Sequence, residues 1–201
     1  MFRSKVENYF EKWYTESKQL ALEDKKDPDS LSHFGYEIYE SLMSDSVLLK
    51  NLYVDKQYEY VLVPDKIKVT SLSSAGLDSC YKSFYFDETK DSEYTTIDLT
   101  EFRPKIENRK CLYFTPKYQK HFYRFSARYG VKPYILVDSP LMFGGDRFLE
   151  TSPFVSEIKI YRNTSIVSIV YSLHTSDFES FFKYENNKLI FIKHRYEIAV
   201  D

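Results

Sequence analysis

Apolar side chains recur every three or four residues at the start of the chain: Val6, Tyr9, Phe10, Trp13 and Leu20, with Lys and Glu between them. That stripe predicts an amphipathic helix over residues 2–23. The charged stretch "EDKKDPDS" breaks it. Asp29 or Ser30 then caps a second helix, with Leu31, Phe34, Ile38 and Leu42 on one face, which fades near Lys50. The pair is expected to form an antiparallel helical hairpin over residues 1–50.

From residue 52 onward the period changes from three or four to two. "YEYVLV" alternates and stops at Pro64-Asp65, and "KIKVTSL" alternates again with Ile67 and Val69 on one face. "CYKSFYF" and "TTIDLTEF" read as strands, the latter ended by Pro104. "KCLYFT" leads into a helix from about Lys117 to Tyr129, closed by Gly130, and then into the strand "KPYILVD". After a loop with Gly144-Gly145 come the strands "VSEIKIY" and "TSIVSIVYSL". "SDFESFFKY" reads as a short capped helix. "NNKLIFIKHRYEIAV" is a last strand after an Asn-Asn turn. The expected fold class is α+β: an N-terminal helical pair, then a mostly antiparallel β-sheet domain over residues 52–201 with one central helix, together one compact unit.

Composition narrows the functional classes. Hydrophobic residues make up 43% of the chain, too many for a disordered one. No apolar run reaches a membrane span, and the charged N-terminus has no secretory signal. Cys80 and Cys111 stand apart from each other and from any His, which points to reduced thiols, a cytoplasmic setting and no metal centre. A net charge of −2 weighs against nucleic acid as the partner, and the basic residues between 105 and 132 read as a solvated helix face. The aromatic load is high, 19 Tyr and 16 Phe, and surplus Tyr on a sheet suits a protein-binding surface.

One segment invites chemistry. The order strand "LYFTP", helix, strand "YILVD", Gly-containing loop and strand pair "SEIKIYRNTSIVSIVYSL" resembles the C-terminal half of the ADP-ribosyltransferase superfamily, over residues 111–171. The resemblance implies NAD as cofactor and transfer of ADP-ribose to a macromolecular target, a protein rather than a nucleic acid. It makes Glu157 the catalytic carboxylate, which would stabilise the positive charge developing on the ribose. Tyr113 would stack on nicotinamide and Thr115 would orient the scaffold. The family also expects an Arg or His on an early strand. No arginine lies between Arg3 and Arg103, and the histidine there, His33, is in the helical hairpin; the resemblance offers Arg103, in "TEFRP", as the possible grip on NAD. Val155 stands where toxin-like members carry a second Glu or Gln.

Two other classes compete. A non-enzymatic, Tyr-rich interaction module, such as a phage, viral or bacterial inhibitor or immunity protein, needs no site at all. A metal-dependent nuclease would use Asp146 and Glu157 to hold Mg²⁺ and Lys159 to orient the attacking water. Glu157 and Lys159 also alternate with Ile158 and Ile160, as on any half-solvated strand.

Overall fold

The computed structural model describes residues 2–22, 29–52, 60–73, 77, 94–129, 154–173 and 176–196. The expected strands "CYKSFYF" and "KPYILVD", the Gly144-Gly145 loop, Asp146 and Cys80 lie outside them. Helix α1 spans Phe2–Leu22 and α2 spans Ser30–Ser44. Asp45 then interrupts the helix expected to run to Lys50. Its side chain accepts from the amides of Val47 and Leu48, so it starts α3 (Ser46–Asn51) directly after ending α2. Asp29 caps α2 by accepting from the amide of Ser32.

Among the described residues eight strands follow: β1 (Tyr60–Pro64), β2 (Lys66–Leu72), β3 (Thr95–Thr100), β4 (Lys110–Phe114), β5 (Phe154–Tyr161), β6 (Ile166–Leu173), β7 (Ser176–Glu185) and β8 (Lys188–Tyr196). Helix α4 (Pro116–Tyr129) follows β4. Strands β1 and β4 form a two-stranded parallel sheet; the other six run in the order β3-β2-β5-β6-β7-β8, all antiparallel except β2 with β5. The fold is α+β. Asp65 divides β1 from β2, so one stretch of chain serves both sheets.

"SDFESFFKY" is a correction: it is strand β7, not a capped helix. Its three Phe residues mimic a helical stripe, but pairing with β6 on one side and β8 on the other decides the outcome. Ordinary strand alternation sets Phe178 and Phe182 against the core beneath the helices and Phe181 on the other face, with Leu72 and Tyr161. The Asn-Asn turn is as expected. Asn186 and Asn187 have φ of 52° and 59°, the left-handed pair that a tight hairpin requires.

Helices α2 and α3 cover one face of the large sheet, and Ile38, Leu42 and Met43 meet Val69, Ile158, Ile169 and Phe182 there. Gly35 allows this approach, because a Cβ in its place would lie 2.7 Å from Val69 Cγ2. Helix α1 makes its main contacts with β4, so the first two helices each lie against a different sheet. Trp13 Nε1 donates to the Tyr113 carbonyl at 3.1 Å, and Ser17 Oγ accepts from the Tyr113 amide at 3.2 Å. Both backbone groups of Tyr113 are thereby satisfied by side chains. Trp13 stacks on Tyr118 at 4.8 Å, and Phe10, Phe114 and Phe122 complete this second core. The aromatic stripe of α4 is core at Tyr118 and Phe122.

Candidate functional site

Among the described residues, two places collect polar groups, and Arg103, Thr115 and Glu157 divide between them. The first is on the sheet face opposite α2. A bulge at Ser156 shifts the register between Val155 and Glu157, so Val155 and Ile158 both face the helices and Glu157 faces away. Pairing of β5 with β2 sets Glu157 beside Lys68. Thr70 donates to Glu157 at 2.6 Å and the Lys68 ammonium lies 3.2 Å away. Lys159 stands between two carboxylates, 3.9 Å from Glu157 and 3.5 Å from Glu179. Glu179 in turn accepts from Ser168 at 2.7 Å and pairs with Arg195 at 3.3 Å.

Lys159, Glu179 and Arg195 are buried, and Glu157 is nearly so. Three cations thus meet two carboxylates across β2, β5, β7 and β8. Charges withdrawn from water this far persist only when paired and hydrogen-bonded. The hollow beside them, rimmed by the exposed Tyr94, holds about 30 Å³. That is room for one or two waters.

The second place is a cleft of about 530 Å³ where the two sheets part. It lies at the carboxyl ends of the parallel strands β1 and β4, against the start of α4. "Thr-Pro" makes that start: Thr115 Oγ1 accepts from the Tyr118 amide at 3.3 Å, and Pro116 occupies the first helical position, where no amide is needed. Arg103 forms one wall. Its guanidinium donates to the Phe102 carbonyl at 2.9 Å and to Asp65 at 2.7 Å, and lies over the Tyr113 ring at 5.2 Å. Across the opening, Lys117 pairs with Glu16 at 2.7 Å, and this bond holds the Glu16 carboxyl below the usual carboxylate range. Leu20, Pro116 and Tyr118 give the cleft an apolar floor.

Arg103, Tyr113 and Thr115 therefore come together, and Glu157 does not join them. Tyr113 and Glu157 lie in different sheets. The strand partner of Glu157, Lys68, is three residues along from Asp65, roughly 10 Å of extended chain. Tyr113 is also 2% exposed, with its hydroxyl donating to the Pro104 carbonyl at 2.9 Å. It supports Arg103 from beneath and offers no open ring to a ligand. Cys111, on the same strand, is a buried free thiol that burial pushes up to about 11.

For the nuclease pattern, Glu157 and Lys159 share a face as the alternation requires, while Asp146 falls outside the described residues. Among the described residues, no group of three or more His, Cys, Asp or Glu could hold a metal ion, and no helix is long and apolar enough to cross a membrane. Sequence reasoning missed Asp65, Lys68, Glu101, Glu179 and Arg195. Reading β7 as a helix hid Glu179; alternation within "SDFES" was the available signal. Comparison with family models, curated proteins and solved structures found no match for this chain.

Proposed function

We propose that the protein binds a nucleotide of the NAD type in the cleft beside Arg103 and transfers ADP-ribose from it to a protein target in the cytoplasm. The observation that carries this reading is the convergence of Arg103 and Thr115, with Tyr113 behind, at a cleft of about 530 Å³. A mostly apolar cleft with a few converging polar groups is the usual form of a small-molecule site. The positive end of α4 faces it, and a phosphate there would meet Lys117. Lys117 is exposed, so its pair with Glu16 is worth little and exchanges readily for a phosphate. Glu157, the carboxylate expected to act on the ribose, is engaged elsewhere, so the reaction needs another acidic group.

Calorimetric titration with NAD, together with an assay of nicotinamide release, tests the reading. Wild-type protein should bind, and Arg103→Lys should bind at least tenfold more weakly, because the planar stack on Tyr113 and the fork to Asp65 are lost. No binding and no nicotinamide release by the wild type would overturn it. A second reading, a non-enzymatic interaction module, is favoured by the exposed Ile190 and Ile192 on β8, the last strand of the sheet. In that case replacing both by Ser should abolish capture of the partner protein and leave the cleft unaffected.

A further inference from the structure

Glu101 follows β3 directly and has φ of 52°. The other described non-glycine residues with positive φ are Asn108, Asn163, Asn186 and Asn187. Asparagine tolerates the left-handed region because its short amide bonds locally to the backbone; a glutamate gains no such relief. At four of five such positions the chain uses the residue that suits the backbone, and at Glu101 it does not. The local path is fixed from both sides. Thr100 pairs with Lys66, the Phe102 amide donates to the Asp65 carbonyl at 3.0 Å, and the Arg103 amide donates to the Tyr36 hydroxyl at 3.3 Å. Those bonds require the turn but not a carboxylate within it.

Glu101 lines the same cleft as Arg103 and Thr115. Among the described residues, the cleft has three carboxylates, Glu16, Asp65 and Glu101, against two cations, Arg103 and Lys117. Lys117 holds Glu16 and Arg103 holds Asp65. Among the described residues, Glu101 is left with neither an ion pair nor a hydrogen bond. Strain kept at a cleft without a local reason points to use by a ligand.

We propose that Glu101 is the carboxylate of this cleft that contacts the ligand, and that it takes a hydrogen-bond donor or a positive charge: on NAD, a ribose hydroxyl or the nicotinamide ring. This rests on the cleft being a nucleotide site. A ligand presenting only anionic groups would not satisfy it.

Three variants test the assignment: Glu101→Gly, Glu101→Asn and Glu101→Asp, each followed by urea denaturation and by calorimetric titration with NAD. Gly and Asn should raise the urea midpoint, since both suit the backbone, yet lower NAD affinity at least tenfold. Asp also suits the backbone and keeps the charge, so it should retain most of the affinity. A purely structural Glu101 would give more stable variants with unchanged NAD affinity. That result, with binding still weakened by Arg103→Lys, would overturn this assignment and leave the cleft reading standing. Absence of NAD binding by the wild type would overturn both.

Discussion

The hollow beside Glu157 and the cleft beside Arg103 are built from the same materials, and they differ in what remains unpaired. In the hollow, Glu157 is met by Thr70, Lys68 and Lys159, and Glu179 by Ser168, Lys159 and Arg195. The charges lie across four strands, all but Lys68 are largely withdrawn from water, and the space is about 30 Å³. In the cleft, two ion pairs line a space of about 530 Å³ and one carboxylate is left over on a strained backbone. A closed set of charges holds strands together; an open set can bind something. Counting partners separates the two regions more sharply than counting charged residues does.

The largest effect is expected at Glu179, which is 1% exposed. Glu179→Ala would leave Lys159 and Arg195 buried without their common partner and should cost about 3–5 kcal/mol. Urea unfolding measures it, and a loss below about 1 kcal/mol would mean that the network does not hold the sheet. The next effect is smaller. Glu157→Gln keeps an acceptor for Thr70 but removes the charge facing Lys68 and Lys159, for a cost of about 1–2 kcal/mol. NAD binding and nicotinamide release should be unchanged. Loss of nicotinamide release with binding intact would move the chemistry back to the hollow and erase the distinction drawn here.

On the other side of the comparison the sign reverses. Glu101→Gly should stabilise the fold by about 1 kcal/mol, through relief of the left-handed backbone. A destabilised variant would show that the glutamate makes structural contacts after all. The smallest effect is the pH response of the pair at the cleft mouth. Lys117 holds the folded-state pKa of Glu16 below its unfolded value. The stability this contributes is present above the unfolded pKa and is lost as pH falls through the folded one. Lys117 is exposed and Glu16 partly so, so the change in stability is slight and a carboxyl chemical-shift titration is the better measure. Lys117→Met should raise the Glu16 midpoint; an unmoved midpoint would mean that the two are not coupled in solution.

The sequence announced what depends on near neighbours. Pro64-Asp65 ends β1, "Thr-Pro" starts α4, and Asn186-Asn187 turns the last hairpin; each is a local stereochemical instruction that survives in the fold. What depends on distant partners was hidden. Phe178, Phe181 and Phe182 carry a helical spacing that only β6 and β8 overrule. The same holds for the site. Arg103 could be named a candidate, but its bond to Asp65 joins residues 38 apart and its seat on Tyr113 depends on the parallel pairing of β1 and β4. The face of Glu157 depends on a bulge at Ser156, and "VSEIKIY" gives no hint of a bulge. Glu101 is invisible in sequence because its distinction is a backbone angle.

The anchoring of α1 on β4 sets an order of events during synthesis. Ser17 bonds Tyr113 across 96 residues and Trp13 bonds it across 100. The first helix therefore leaves the ribosome long before the strand that receives its indole exists. At about 5–20 residues per second the interval is roughly 5–20 s, ample for a chaperone or a neighbouring nascent chain to engage the uncovered aromatic stripe. Trp13 is the sole tryptophan, so its fluorescence change on refolding would time that docking separately from closure of the large sheet.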